Sequence, residues 1–187
     1  MHITIDEIKD DLRKLLDSKR YAHTLSVCET AVVLAKRFGA DKDKAYLAAL
    51  LHDCARGLDE QQQIEYCIEN GIELDEYMKN NSNPLHALIG EDIAKRQYGI
   101  VDEEILMAIR KHAIGDENMM LLDKIILVAD AIEPNRLGSD ADEARLIAQN
   151  SLDKAIFPAM RIKSYYLKGN PMHPSSIMML EKILVEM

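Results

Sequence analysis

At 187 residues and 21.2 kDa the chain has the length of about one domain, or of a domain with an appendage. Eight Gly and five Pro make 13 turn-prone residues, about 7% of the chain against a usual ~12%, while 48% of residues are hydrophobic, so the composition reads as helical. A net charge of −9, from 23 Lys+Arg against 32 Asp+Glu, argues against broad nucleic-acid binding, which needs cations on phosphates; the absence of Trp and 5% aromatics argue against a base-stacking platform.

An anionic ligand would have to be held by local cations or a metal. The three cysteines, Cys28, Cys54 and Cys67, are odd in number and lack metal-finger spacing, which fits a reduced cytosolic compartment. Met1 to Glu7 lacks the basic start and apolar run of a signal peptide. The longest apolar run, Ala45 to Leu51, is far short of the roughly 20 residues that span a bilayer. The expectation is a soluble cytoplasmic protein with no membrane partner.

In chain order, Thr4-x-x-Glu7 is a capping box opening a helix to about Asp17, with Ile5, Ile8, Leu12, Leu15 and Leu16 as its stripe. A second helix is predicted from about Arg20 to Phe38, stopped by Gly39, and a third starts after Asp41 and runs to about Cys54. Weaker periodicity fits 60–70, ended by Gly71, and 73–80. Asn83-Pro84 reads as a cap and first helical position, with a helix to about Gln97. Others fit 102–113, 119–132, 139–167 and 174–186, and Pro158 should kink or split the long one. The methionine pairs Met119-Met120 and Met178-Met179 read as core filler. No period-2 strand stands out. The fold class is an all-α globule.

Six histidines occur, at 2, 23, 52, 86, 112 and 173, and the middle four lie on predicted helices that are otherwise apolar on their inner stripes. Asp53 follows His52 directly, and Asp130 ends the apolar run Ile125 to Ala129. A buried unpaired carboxylate there would cost several kcal/mol, and a divalent cation would remove that cost. A single His on an apolar face is usually a hydrogen-bonded core residue. Neighbours on a helix also point about 100° apart, so His52 and Asp53 need not share a target. The joint pattern of His, His-Asp, His, His and Asp on five helical segments favours a metal. With nitrogen and oxygen donors and no Cys, that metal is iron, manganese or another borderline ion.

The residues Arg20-x-x-His23, His52-Asp53, His86, Lys111-His112 and Asp130 resemble the ordered signature of HD-domain metal-dependent phosphohydrolases. The closer resemblance is to the bacterial YqeK family of small HD proteins. It rests on the segments Lys19 to His23, Leu51 to Arg56, Pro84 to Ala87, Arg110 to His112, Ala129 to Arg136, and His173-Pro174-Ser175. Arg56 stands where Lys is as frequent, and Ala113 where a small hydroxyl residue is common.

The resemblance implies one HD domain over 1–187, with a motif core of about 18–137 and C-terminal helices at 139–187 completing the substrate pocket. It implies a dinuclear centre, iron in the first instance and manganese or another divalent metal otherwise. The activity implied is symmetrical hydrolysis of diadenosine tetraphosphate to two ADP by metal-activated water. On this basis His23, His52, Asp53 and Asp130 would bind one metal, and Asp53 would bridge to a second held by His86 and His112. Asp53, His86 and His112 would be catalytic, the two histidines also facing phosphate oxygens. Arg20, Arg56, Ala113, Arg136, His173, Pro174, Ser175 and Ser176 would contact the nucleotide, and Lys163, Lys168 and the turn from Gly169 to Ser176 read as a loop leading into the last helix. For His173 the alternative is that it merely caps the last helix. The partner implied is a small-molecule nucleotide, with oligomeric state left open, a homodimer included. The alternatives are an HD phosphohydrolase for another nucleotide or phosphate ester, and a non-catalytic metal-binding helical module.

Overall fold

The computed structural model describes residues 3–167 and 169–186; His2 and Lys168, both singled out above, lie outside them. Among the described residues there are eleven α-helices and no strand. They are α1 (Ile5–Leu15), α2 (Ser18–Phe38), α3 (Lys42–Leu51), α4 (Glu60–Glu69), α5 (Glu76–Asn80), α6 (Leu85–Arg96), α7 (Glu103–Lys111), α8 (Leu121–Ile132), α9 (Ser139–Ile147), α10 (Leu152–Tyr165) and α11 (Pro174–Glu186). A 3₁₀ turn, Cys54–Gly57, follows α3. None of these helices is long and apolar enough to cross a membrane.

Much of the acidic excess is used at helix starts. Asp17, Asp41, Asp59, Asp75 and Asp102 cap α2, α3, α4, α5 and α7, each accepting from a backbone N–H of the first turn. Such a bond satisfies an orphan donor, and the carboxylate meets the positive end of the helix dipole. Thr4 and Glu7 form the reciprocal capping box of α1. At the other end of α2, Gly39 takes the left-handed conformation at φ 77° that a side chain would resist.

The centre of the core is α8. From Ile125 to Ile132 every residue is buried, as expected for a helix that is apolar all round. Helices α2, α3, α7 and α10 surround it, and their buried Leu, Ile, Val and Ala side chains form one continuous cluster. This arrangement carries Asp130, near the end of α8, into the middle of the molecule.

The structure departs from the sequence reading in several places. Helix α3 stops at Leu51, so His52 and Asp53 lie at and beyond its end. Helix α5 starts only at Glu76, because Asp75 bonds the N–H of Met78 and fixes the start there. Pro84 is itself the cap of α6, while the Asn83 side chain accepts from Arg56. The stretch 139–167 does split, but at 148–151, where Ser151 turns out to start α10; Pro158 sits buried inside α10. The break follows local capping chemistry, and the proline's missing N–H is absorbed within the next helix. Each methionine pair divides: in α11 Met179 is buried and Met178 exposed, because adjacent helical side chains diverge, while before α8 Met119 is half-buried and Met120, in extended backbone, is exposed.

Gly57 ends the 3₁₀ turn against α1, where an added Cβ would lie 2.3 Å from the Leu15 carbonyl oxygen. That carbonyl is backbone and cannot swing away. Gly57→Ala should therefore destabilise by ~1–3 kcal/mol, lowering the melting temperature by about 2–12 °C for a domain of this size. A thermal melt within a degree of the parent would show that α1 shifts without cost.

Candidate metal centre

Four histidines and two aspartates meet where α2, α6, α7 and α8 converge on the end of α3. His52 is the C-cap of α3, His112 that of α7, and His86 lies in the first turn of α6. Each ring donates through Nδ1 to the carbonyl three residues earlier: His52 to Ala49 (2.6 Å), His86 to Asn83 (2.7 Å) and His112 to Ile109 (2.7 Å). Ala49 and Ile109 are among the last four carbonyls of their helices, which have no partner inside the helix. The ring thus caps its own helix. Since a carbonyl only accepts, Nδ1 carries a proton in each ring, which leaves Nε2 turned to the site and able to offer a lone pair when the ring is neutral. His23, within α2, has its Nδ1 3.1 Å from Glu133 Oε1.

The Asp53 carboxylate stands between two groups of rings. Oδ2 lies 3.5 Å from His52 Nε2 and 3.9 Å from His23 Nε2; Oδ1 lies 3.5 Å from His86 Nε2 and 3.7 Å from His112 Nε2. Its backbone, at φ −110° and ψ 17°, has left the helix, so the angular divergence of helical neighbours does not apply and His52 and Asp53 face one space. Asp130 Oδ1 lies 3.1 Å from His23 Nε2.

This donor set fits cations. His23 Nε2 and His52 Nε2 are buried without a hydrogen-bond partner, the close Asp130 oxygen lying off the bonding direction of His23. His86 Nε2 and His112 Nε2 face each other at 3.1 Å. With both Nδ1 protonated, that contact sets lone pair against lone pair unless a proton or a cation is shared. Burial pushes both of these histidines down, so the proton is disfavoured. Two triads of donor atoms, His23–His52–Asp130 and His52–Asp53–His112, each lie within 4.8 Å of one another.

The two carboxylates remain ionised against their surroundings. Burial alone would raise Asp53, but His52, His112 and Arg56 hold it well below the usual carboxylate range. Burial likewise opposes Asp130, and Lys163, His52 and Arg136 outweigh it. Arg20 Nη1 donates to Asp53 Oδ2 at 2.8 Å, Arg136 Nη2 to Asp130 Oδ1 at 3.0 Å, and Lys163 Nζ to Asp130 Oδ2.

Residues 20–135 match the HD domain family. The chain belongs to the HD domain family. It is 38% identical over 171 residues to a symmetrical bis(5'-nucleosyl)-tetraphosphatase of Bacillus subtilis, covering 89% of this chain and 90% of that one. A Staphylococcus aureus protein of the same name is 39% identical over 159 residues, covering 83% of this chain and 80% of its own. The crystal structure of a "predicted HD superfamily hydrolase involved in NAD metabolism" from Clostridium acetobutylicum superposes over the full length of both chains with a TM-score of 0.94 at 39% identity.

Above the carboxylates of this HD domain lies a cavity of about 1060 Å³. Arg20, Arg56, Ala113, Arg136, His173 and Ser176 line it; Pro174 and Ser175 do not. His173 Nε2 pairs with Asp75 Oδ2 at 2.7 Å, and its Nδ1 accepts from the Ser175 N–H at 3.0 Å. The Ser176 hydroxyl donates to the Ile114 carbonyl at 2.6 Å. The start of α11 is therefore capped by His173, and its donors are engaged within the protein. Sequence reasoning quoted Glu133 without giving it a role and placed Lys163 in a loop. Both touch the site, Glu133 through His23 and Lys163 from the last turn of α10. The segment Glu133-Pro134-Asn135-Arg136 offered the signal for Glu133; nothing local to α10 offered one for Lys163.

Metal binding to the folded state must stabilise it by linkage. Manganese or iron at ~100 times Kd should add ~2.7 kcal/mol, or about 5–11 °C in melting temperature, reversed by a chelator. Glu133→Gln removes the charged anchor of the His23 ring and should weaken manganese binding ~10- to 100-fold in a calorimetric titration. Parent-like affinity would take Glu133 out of the metal's support.

Proposed function

We propose that this chain is a metal-dependent symmetrical bis(5'-nucleosyl)-tetraphosphatase that hydrolyses diadenosine tetraphosphate to two ADP. The observation that carries this is the Asp53 carboxylate turned to two sets of His Nε2 atoms at the floor of a large cavity, in a chain 38–39% identical to enzymes of that name. His23, His52, Asp53 and Asp130 would hold one divalent cation, and Asp53 with His86 and His112 would hold a second. Iron suits this nitrogen and oxygen set, and manganese suits it as well. When bound, such cations lower the pKa of water and neutralise charge on the attacked phosphoryl group.

The protein's own residues then bind and orient. The cavity lining carries five carboxylates (Asp17, Asp53, Asp130, Glu133, Asp140) and five cations (Lys19, Arg20, Arg56, Arg136, Lys163), so divalent metal is what tips it toward a polyanion. The guanidinium forks of Arg20, Arg56 and Arg136 match phosphate oxygens in pairs. Tyr77, Met172, His173 and Ser176 hold one nucleoside at the end of the cavity beside α5 and α11. Hydrolysis breaks the central anhydride P–O bond; the water oxygen joins one phosphorus, and its proton leaves with the departing ADP or to solvent. The motif core at 18–137 thus carries the chemistry and the helices after 139 close the pocket. Three buried, unpaired cysteines accord with a reducing cytoplasm.

Metal-loaded protein should convert diadenosine tetraphosphate to ADP alone, resolved by ion-exchange chromatography. ATP plus AMP would mean asymmetric attack, and release of phosphate from a mononucleotide without dinucleotide cleavage would favour a different phosphohydrolase. Asp53→Ala should lose both activity and metal. The Arg56 side chain makes only long polar contacts, to Asn83 Oδ1 at 3.3 Å and Asp53 Oδ1 at 3.5 Å. Arg56→Ala should keep the metal and lose ~10- to 150-fold in kcat/KM, chiefly in KM, as befits a charge-assisted contact of ~1.5–3 kcal/mol.

A further inference from the structure

Symmetrical cleavage is a measuring problem. Four phosphates lie between two identical nucleosides, and only the central anhydride is to meet the floor of the cavity. One nucleoside subsite fixes the phosphate chain at one end; a second, on the other side of the floor, would fix the register at both. This argument rests on the reading given under Proposed function.

The cavity also runs past Asp130, where Arg136 joins that carboxylate to the Tyr166 hydroxyl. Its wall there is the segment Leu137 to Ala141 and the end of α10, including Tyr165 and Tyr166. Leu137 is 92% exposed, Tyr165 70% and Tyr166 55%. Single exposed apolar residues need no explanation, but these three border one cavity and are held in place. Arg145 ties the segment before Leu137 down, its guanidinium donating to the carbonyls of Ile132, Glu133 and Arg136. The Tyr165 hydroxyl donates to Asp140 Oδ2 at 2.7 Å, and Asp140 is in turn fixed by Arg161. Tyr166 accepts from Arg136 Nη1 at 2.8 Å, with the guanidinium 5.7 Å from its ring centroid. Both rings are anchored at their hydroxyl ends while much of each side chain stays open.

Low aromatic content argued against an extended base-stacking platform, yet three of the seven tyrosines gather around this cavity. We infer that Leu137 and Tyr165 form the seat of the second nucleobase, gripping a purine between an aliphatic side chain and an aromatic face, and that this seat sets the preference for dinucleoside over mononucleoside polyphosphates. Arg136 lies between seat and floor, bonded to Asp130 and Tyr166, where the phosphates of that half would pass.

The test compares diadenosine tetraphosphate with adenosine tetraphosphate, which has the same phosphate chain and one base. In the manganese-loaded full chain, KM is measured for the first and the competitive inhibition constant for the second, in the parent and in Leu137→Ala/Tyr165→Ala. Both side chains are largely exposed, and a thermal melt checks the fold. The double variant should raise KM for the dinucleotide about 5- to 150-fold, the equivalent of ~1–3 kcal/mol for one stacked base. The inhibition constant of adenosine tetraphosphate should stay within about twofold, because its base occupies the other end. An unchanged KM, or equal loss for both ligands, would overturn the seat while leaving the activity intact. No cleavage of diadenosine tetraphosphate by the parent would overturn the activity and the seat together.

Discussion

An ionised carboxylate in an apolar interior costs several kcal/mol unless it is matched, and Asp53 is only 3% exposed. The surrounding structure is organised by that cost. Two oxygens face four imidazoles from α2, α3, α6 and α7, and Arg20 and Arg56 approach from the open side. Asp130 repeats the problem one element away. The apolar run that buries α8 also carries this aspartate inward, and Lys163 and Arg136 meet it there. Folding the core and assembling the site are the same event, since α8 cannot bury Ile125 to Ala129 without burying Asp130.

Orientation of the rings is solved by one device used three times. A histidine at a helix end gives its Nδ1 proton to the carbonyl three residues back, and Nε2 is left to look inward. The bond satisfies a backbone group and locks the ring in the same step. His23, which sits inside a helix where carbonyls are already engaged, uses Glu133 instead. The difference follows from position along the helix and not from any difference between the histidines.

Local signals in the sequence were legible because the forces behind them are local. The Thr4 box, the Gly39 stop and the start of α11 at Pro174 each depend on residues within a few positions. His23, His52, Asp53, His86, His112 and Asp130 were legible as an ordered set, since the four histidines and Asp130 stand out against apolar helical runs and Asp53 follows His52 directly. What was not legible depends on distance or on competition. Lys163 reaches Asp130 across 33 positions of chain. Pro158 was the stronger breaker on paper, but the Ser151 cap and the turn before it ended α9 first, leaving the proline inside α10. His173 had two readings; its bonds to Asp75 and to the Ser175 N–H make it a cap of α11 while it still lines the cavity, an arrangement that involves α5 and is invisible from α11 alone.

The segment from Glu133 to Leu137 joins these levels. Glu133 fixes His23 through one oxygen and accepts the Asn135 N–H through the other at 2.7 Å. Three residues later Arg136 meets Asp130, and the next residue is the exposed Leu137. Arg145, from α9, fastens the carbonyls on both sides of this turn. A turn with so few internal bonds of its own would otherwise drift, and His23 and Arg136 would drift with it. Because one short segment orients the His23 ring, the Arg136 guanidinium and the rim of the cavity, displacement of the turn at any of these points moves the other two. Arg145 touches neither metal donors nor cavity, yet it holds the geometry that both require.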